Sequence, residues 1–186
     1  VAAWLVFAVV GERAVGDEPG KAPKPQLDET EQTDALDYER IATPIAVLEE
    51  ADGTLVRLSA LTASRAVLLV WISFGCGSCK PVIDLLAAWR AELPELDVRA
   101  AVGDRAALAS SPDAIPRDML MIDPLNTLSQ AVGTFGTPAA VLFGADGMLA
   151  GGPVHGPDDI IGLVHDIREQ LDGARVDAQA APGASE

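Results

Sequence analysis

The sequence contains few of the residues that metal sites, disulfide frameworks and nucleic-acid surfaces require. Among 186 residues there are two cysteines and two histidines, whereas a structural zinc site takes about four ligands. Two cysteines also cannot form a framework of several disulfides. The chain has 13 Lys and Arg against 28 Asp and Glu, a net charge of −15. Because nucleic acids and anionic membrane surfaces favour basic patches, we expect no nucleic-acid partner. We also expect no metal ion and no cofactor.

Aromatic residues are scarce as well, at 4% of the chain, although 49% of all residues are hydrophobic. A buried core is therefore feasible, and it has to be built mainly from Ala, Val, Leu and Ile. The length fits one domain with additional terminal segments.

The composition changes along the chain and divides it into four segments. Residues 1–10 (VAAWLVFAVV) are wholly apolar and the first is not Met, but about 20 such residues are needed to span a membrane. We interpret 1–10 as the end of a membrane anchor; a signal-peptide core or a buried or disordered apolar terminus are the alternatives. Residues 11–40 are acidic and contain prolines, which predicts a linker. We expect a folded domain over 41–172 and a disordered tail over 173–186.

Within 41–172 the hydrophobic pattern alternates between strands and helices. The predicted strands are short apolar runs over 45–48, 54–58, 66–72, 96–102, 119–122, 139–143 and 148–150. The predicted helices cover 77–92, 104–110, 125–132 and a closing segment around 160–171. Two Asp-Gly pairs, Asp52-Gly53 and Asp146-Gly147, predict hairpin turns. This order predicts an α/β fold in which a buried strand feeds a helix through a loop.

The only two cysteines form a Cys76-Gly77-Ser78-Cys79 motif between the predicted buried strand and the helix that follows. Disulfide exchange needs a thiolate nucleophile and a second thiol that resolves the mixed disulfide. The start of a helix lowers the pKa of a thiol, so we assign Cys76 as nucleophile and Cys79 as resolving thiol. Lys80 adds a positive charge nearby. The alternatives are half of a metal site or a structural disulfide.

A second motif, Gly136-Thr137-Pro138, directly precedes the apolar run 139–143. Proline removes a backbone donor, so in a sheet it belongs at the start of a strand. A cis proline here would leave the backbone groups of Thr137 free to pair with an extended substrate segment.

The stretches LLVWISFGCGSCKP and FGTPAAVLFGADGMLAGG, in this order, resemble the thioredoxin-like superfamily. The similarity covers about residues 41–172. Within this superfamily the sequence resembles the membrane-anchored TlpA-like and MauD-like disulfide oxidoreductases of bacteria. The resemblance implies a thioredoxin-like three-layer fold with a central mixed sheet and an added N-terminal β-hairpin. It also implies that Cys76 and Cys79 are the redox pair, that Pro138 is a cis-proline facing them, and that the Thr137 backbone contacts substrate.

The expected activity is therefore thiol–disulfide oxidoreduction outside the cytoplasm of a bacterium, at the cell membrane. The expected partners are client proteins with cysteines or disulfides and a membrane electron donor or acceptor; both reduction and oxidation of clients remain open. Two other functions occur on related folds. A copper-binding chaperone usually spaces its cysteines CxxxC and adds a His ligand, for which His155 is the candidate. A peroxiredoxin-related peroxidase needs Thr or Ser three residues before the cysteine, where Ser73 stands.

Overall fold

A computed structural model of the protein describes the backbone of residues 41–180 and the side chains of residues 41–176. Within these residues seven strands form one sheet: β1 (Val47–Glu50), β2 (Leu55–Arg57), β3 (Val67–Trp71), β4 (Asp97–Val102), β5 (Leu120–Ile122), β6 (Ala139–Phe143) and β7 (Leu149–His155). Their order in the sheet is β2-β1-β5-β4-β3-β6-β7. The first ten residues, interpreted above as an anchor, and the linker 11–40 lie outside the described residues.

Strand β3 lies near the middle of the sheet and carries the cysteine loop at its end. It runs parallel to β4 and antiparallel to β6, and β4 runs parallel to β5. The sheet is therefore mixed. The predicted hairpin around Asp52-Gly53 is present as β1 and β2, and β1 joins the sheet by pairing antiparallel with β5.

Both faces of the sheet are covered, which explains the unbroken apolar sequence of β3. All five of its residues are buried. Leu68 and Val70 belong to one core cluster, whereas Val67, Leu69 and Trp71 belong to a second cluster on the other side. Burying each such side chain contributes about 1.5–3 kcal/mol, so β3 is a rigid support for the loop that follows it.

In the described part of the chain, five helices flank the sheet: α1 (Leu58–Leu61), α2 (Lys80–Ile83), α3 (Leu86–Glu92), α4 (Thr127–Ala131) and α5 (Pro157–Ala180). The first core cluster contains side chains of α2, α3 and α5. The second contains Leu58 of α1 and Leu128 of α4. Sheet and helices together form the three layers that the sequence predicted. Short 3₁₀ turns cover Gly77–Cys79, Arg105–Ser110, Arg117–Met119 and Pro124–Asn126.

The single helix predicted over 77–92 is wrong, because this segment is divided into a 3₁₀ turn, α2 and α3. The division falls at Asp84 and Leu85. The Leu85 N–H donates to the Val82 carbonyl at 3.0 Å, a bond across three residues that tightens the chain into a 3₁₀-type turn. The apolar spacing that predicted one helix is compatible with both geometries.

The predicted start of the disordered tail at residue 173 is also wrong, because α5 continues to Ala180. The last turns contain Ala and Arg, which are good helix formers. Arg175 Nη1 lies 2.8 Å from Asp172 Oδ1 within the helix, and Arg175 Nε lies 2.8 Å from Glu95 Oε1. The pair with Glu95 ties the C-terminal part of α5 to the segment that follows α3. Among the described residues no helix combines the length and the apolar composition needed to cross a membrane.

Candidate active site

The cysteine motif stands at the end of β3, where the chain turns from the sheet into the helical layer. Cys76 has an extended backbone (φ −95°, ψ 120°) and precedes the 3₁₀ turn Gly77–Cys79. Pro81 follows in the first turn of α2, where its missing N–H leaves no helical hydrogen bond unmade. The rigid strand and the tight turn fix the positions of both thiols, which are free.

Cys76 is half-buried and its sulfur has two polar neighbours. Its Sγ lies 2.9 Å from Ser78 Oγ and 3.8 Å from the carbonyl oxygen of Thr137. The pKa of Cys76 is lowered from 9.0 to about 7, first by the hydrogen bond with the Ser78 hydroxyl and then by hydrogen bonds with Cys79. A thiol with a pKa near ambient pH is the best attacking nucleophile in disulfide exchange.

Cys79 is completely buried, and its sulfur accepts a hydrogen bond from the Ser73 N–H at 3.4 Å. Burial raises the pKa of Cys79 above 9.0, and the smaller contributions of Ser73 and Thr137 oppose this rise. Burial disfavours a thiolate because the charged form loses its hydration. The two thiols are therefore distinct: one exposed enough to attack and easily ionised, the other enclosed and protonated.

The Gly136-Thr137-Pro138 motif lies opposite the cysteines, directly before β6. Gly136 has φ +95° and the Thr137–Pro138 peptide is cis. Thr137 is exposed while Pro138 is buried, and the Pro138 carbonyl accepts the Gly156 N–H at 2.9 Å. The structure thus places the Thr137 carbonyl against Cys76, with Pro138 behind it in the same loop.

Lys80 does not act on Cys76 as a free positive charge. Its Nζ lies 3.1 and 2.8 Å from the two carboxylate oxygens of Asp84, and both side chains are exposed. Lys80, Asp84 and Cys76 line one pocket of about 370 Å³, together with Phe74 and Ile83. The pKa of Cys76 is lowered by hydrogen bonds within the motif itself, and the largest contribution comes from Ser78. Ser78 therefore has the role that the sequence assigned to the charge of Lys80.

Asp123 is a buried acid near the site that the sequence analysis did not single out. Its two carboxylate oxygens accept hydrogen bonds from four donors: Trp71 Nε1, Thr127 Oγ1, Leu128 N and Ser129 N, at 3.0, 3.3, 3.0 and 2.8 Å. The carboxylate therefore fixes the start of α4 against the end of β3. An Asp between an apolar strand and a helix, followed by Pro124, is the signal that could have identified it.

His155, the candidate copper ligand, lies beyond the predicted strand 148–150, but it is the last residue of β7, where it pairs with Ala139. The strand was predicted only to residue 150 because Gly151, Gly152 and Pro153 interrupt its apolar pattern. The Nε2 atom of His155 accepts a hydrogen bond of 3.4 Å from the Phe135 N–H. Within the described part of the chain, no group of three or more His, Cys, Asp and Glu side chains could hold a metal ion.

Comparison with solved structures identifies several of similar architecture. A secreted disulfide oxidoreductase of Mycobacterium tuberculosis, homologous to E. coli DsbE, is 17% identical with a TM-score of 0.51; the match covers 64% of this chain and 94% of that one. An exposed lipoprotein thioredoxin of Streptococcus pneumoniae is 18% identical with a TM-score of 0.52, covering 66% and 99%. The thioredoxin domain of a thiol-disulfide oxidoreductase of Bacteroides vulgatus is 16% identical with a TM-score of 0.51, covering 68% and 94%.

No protein-family model matches the chain, and no curated protein matches it. The structural neighbours are thioredoxin-like disulfide oxidoreductases, and their identity to this chain is low enough that they establish architecture alone. The seven-stranded mixed sheet with helices on both faces, the CxxC loop after β3 and the cis-proline loop before β6 together give this chain a thioredoxin-like fold.

Proposed function

We propose that this protein is a thiol–disulfide oxidoreductase that exchanges electrons with protein thiols and disulfides through Cys76 and Cys79. The observation that carries the proposal is the different environment of the two thiols: Cys76 is half-buried with its sulfur 2.9 Å from Ser78 Oγ, whereas Cys79 is completely buried. The pKa of Cys76 is lowered to about 7 beside Ser78, while burial raises the pKa of Cys79. Dithiol exchange needs one thiol that attacks the client and a second thiol that later resolves the mixed disulfide.

In the reducing direction the Cys76 thiolate attacks one sulfur of a client disulfide. The client S–S bond breaks, a Cys76–client disulfide forms, and the first client sulfur leaves as a thiolate. Cys79 then loses its proton and attacks Cys76 Sγ, which releases the second client thiolate and forms the Cys76–Cys79 disulfide. Two electrons pass to the client, and a dithiol donor must return them for another turnover. The oxidising direction is the same sequence reversed.

The backbone of Thr137 supports the positioning of the client. Its carbonyl lies 3.8 Å from Cys76 Sγ, and Thr137 is exposed. An extended client segment could pair with this backbone as an added strand does, which would hold a client sulfur beside Cys76. Thr137 and Pro138 are therefore the proposed substrate-binding residues.

We also propose that the domain works on the extracytoplasmic side of a bacterial membrane, held by an anchor that includes residues 1–10. The support is the apolar sequence of that segment and the secreted or surface-exposed setting of two neighbours. The proposed partner is then a membrane electron donor or acceptor, which would return Cys76 and Cys79 to their starting oxidation state after each turnover. Labelling of Cys76 by a membrane-impermeant maleimide in intact cells tests this location, and labelling only after lysis would contradict it.

The experiment that tests the exchange activity is disulfide trapping with a peptide that contains one internal disulfide. The wild-type protein should reduce the peptide without accumulating an adduct. Cys79→Ser should accumulate a mixed disulfide with the peptide, visible without reductant and lost on its addition, whereas the matched Cys76→Ser variant should form none. Absence of an adduct with Cys79→Ser, in a protein whose Cys76 still reacts with a maleimide, would contradict the proposal.

Equilibration of the wild-type pair in glutathione buffers decides the direction of electron flow. Potentials of such pairs range from about −270 mV for reductants to about −120 mV for oxidants. Peroxide consumption without any client, or stoichiometric copper binding, would instead favour the peroxidase or the copper chaperone.

A further inference from the structure

The pocket that contains Cys76, Lys80 and Asp84 has room for a small molecule, and we term it the cysteine pocket. Its volume is about 370 Å³, at the lower end of the roughly 300–1,000 Å³ of small-molecule pockets. Thr137, whose backbone is proposed to hold protein clients, is not among the described residues that line it. The cysteine pocket is therefore a space beside the nucleophile that a client held along Thr137 does not need to fill.

Two glycines keep this space open on either side of Cys76 in the chain. Gly75 and Gly77 both line the cysteine pocket, and a Cβ added at either would meet no atom within 4 Å beyond its chain neighbours. Phe74 and Ile83 also line it, and because both are half-buried they supply apolar surface. A short aliphatic stem joined to the Cys76 sulfur, such as a small thiol carries, therefore finds both room and apolar contacts.

The rim of the cysteine pocket carries one positive and one negative charge side by side. Lys80 Nζ lies 3.1 and 2.8 Å from the two carboxylate oxygens of Asp84, and both side chains are exposed to solvent. An ammonium group has three donors and a carboxylate has about four acceptor positions. The ion pair therefore still has a donor and several acceptor positions to offer to a guest.

A guest that carries both charges suits this ion pair better than a guest that carries one. A carboxylate alone is attracted by Lys80 and repelled by Asp84, and an ammonium group alone meets the reverse. A zwitterion can place its carboxylate on Lys80 and its ammonium group on Asp84, so it gains both attractions. The net charge of −15 also disfavours an anionic disulfide relative to a disulfide of zero net charge.

We infer that the cysteine pocket binds one half of a small zwitterionic disulfide, and that the protein reduces cystine, the disulfide of two free cysteine molecules, in addition to protein disulfides. The inference rests on the proposed function, because it uses the same two thiols. It adds a second substrate class, a free amino-acid disulfide, whose α-carboxylate pairs with Lys80 and whose α-ammonium group pairs with Asp84.

The reaction follows the steps proposed for protein disulfides. The Cys76 thiolate attacks one cystine sulfur, the cystine S–S bond breaks, and one cysteine leaves as a thiolate. The other cysteine stays joined to Cys76 by a disulfide, with its charged groups at Lys80 and Asp84. Cys79 then loses its proton and attacks Cys76 Sγ, which releases the second cysteine as a thiolate. Two electrons have reduced cystine, and the dithiol donor of the proposed function reduces the resulting Cys76–Cys79 disulfide.

The test compares L-cystine with D-cystine in a single turnover of the reduced protein, followed as the loss of protein thiols by alkylation and mass spectrometry. The enantiomers have the same charge, size and intrinsic reactivity, so a general electrostatic attraction towards Cys76 cannot distinguish them. A bound position with two fixed charges does distinguish them, because inversion at the α-carbon exchanges the ammonium and carboxylate groups. We expect L-cystine, the enantiomer of the protein amino acids, to react at least about threefold faster, in line with the modest strength of exposed ion pairs.

One double variant and one matched control then locate the preference. Lys80→Asp together with Asp84→Lys exchanges the two charges and preserves the net charge, so the ratio of L to D rates should fall to about one or below. His165→Glu together with Glu169→His exchanges an exposed pair of the same spacing on α5 and should retain the wild-type ratio. Each ratio is measured within one protein sample, so a loss of folded protein does not change it.

The uncharged disulfide of mercaptoethanol, which has no chiral centre, separates the two possible failures. If the wild-type protein reacts with it but does not reduce cystine, treats the enantiomers alike or prefers D-cystine, the inference is overturned and the proposed function stands. A ratio that the exchange of Lys80 and Asp84 leaves unchanged, or that the control on α5 lowers equally, also overturns the inference. If Cys76 reacts with no disulfide at all, the proposed function itself fails.

Discussion

Replacing Ser78 by Ala removes the hydroxyl that lies 2.9 Å from Cys76 Sγ. That hydroxyl is the largest cause of the low pKa of Cys76, which stands at about 7 against an ordinary 9.0. A hydroxyl can donate to a thiolate, and a donor to the charged form lowers the pKa. The pKa of Cys76 in Ser78→Ala should therefore rise, without reaching 9.0, because the hydrogen bonds with Cys79 remain.

The size of the effect follows from the fraction of thiolate. At pH 7 a thiol with a pKa of about 7 is about half ionised, whereas one at 9.0 is about 1% ionised, so complete loss of the shift would slow the reaction about 50-fold. With part of the shift retained, we expect alkylation of Cys76 at pH 7 to slow by about 3- to 30-fold. Above pH 9 the two proteins should converge, or the variant should become slightly faster, because a more basic thiolate is intrinsically more nucleophilic.

The assay is the rate of iodoacetamide alkylation at Cys76 across a pH series, quantified by mass spectrometry. Ser73→Ala is the matched control, since Ser73 contributes its backbone N–H to Cys79 and that group survives the substitution. A midpoint in Ser78→Ala that coincides with wild type, or an equal displacement in Ser73→Ala, would refute the role of the Ser78 hydroxyl.

Two further predictions concern stability and are read from urea unfolding. Asp123→Ala should destabilise the protein by at least about 2 kcal/mol. The substitution removes the hydrogen-bond acceptor of the Trp71 indole and of two backbone N–H groups at the start of α4. A loss of stability below about 0.5 kcal/mol would contradict the role of this network. Gly152→Ala should cost about 2 kcal/mol or more, because Gly152 has φ +79° and an added Cβ would lie 2.7 Å from the Ala140 carbonyl oxygen. Its matched control is Gly162→Ala, in α5 with open space around it, which should stabilise the protein by about 0.5–1 kcal/mol. If Gly162→Ala destabilised the protein more than Gly152→Ala does, the close contact at Gly152 would not determine the stability.

The central part of the fold could be predicted because burial there leaves a simple pattern. The strand β3 is buried on both faces, so its sequence is apolar throughout, and the Asp52-Gly53 pair identifies a hairpin by its turn chemistry. The extent of β7 could not be predicted in the same way. Its Gly151, Gly152 and Pro153 contribute no apolar alternation, and the strand exists because β6 supplies its hydrogen-bond partners.

For the site, the sequence could place the two cysteines but not the contacts between their neighbours. Motif and context predicted the assignment of Cys76 and Cys79, and the thioredoxin-like resemblance predicted the loop with Thr137 and Pro138. The Ser78 hydroxyl contacts Cys76, and Lys80 pairs with Asp84 rather than with Cys76. Both contacts depend on side-chain conformations that the sequence does not specify. The Ser78 contact depends on the 3₁₀ turn, which the apolar spacing of this segment does not distinguish from an α-helix.

The contributions to the pKa of Cys79 suggest how attack and release are ordered. Burial is the largest cause that raises this pKa, but interactions with Cys76, both the hydrogen bond and the charge of its thiolate, raise it further. When Cys76 enters a mixed disulfide it carries no charge, so these smaller contributions disappear while burial remains. Formation of the mixed disulfide therefore makes Cys79 easier to deprotonate at the moment when its attack is needed. Release of the client should accordingly accelerate with pH beyond the range in which attack by Cys76 is complete, because Cys79 stays the less acidic thiol.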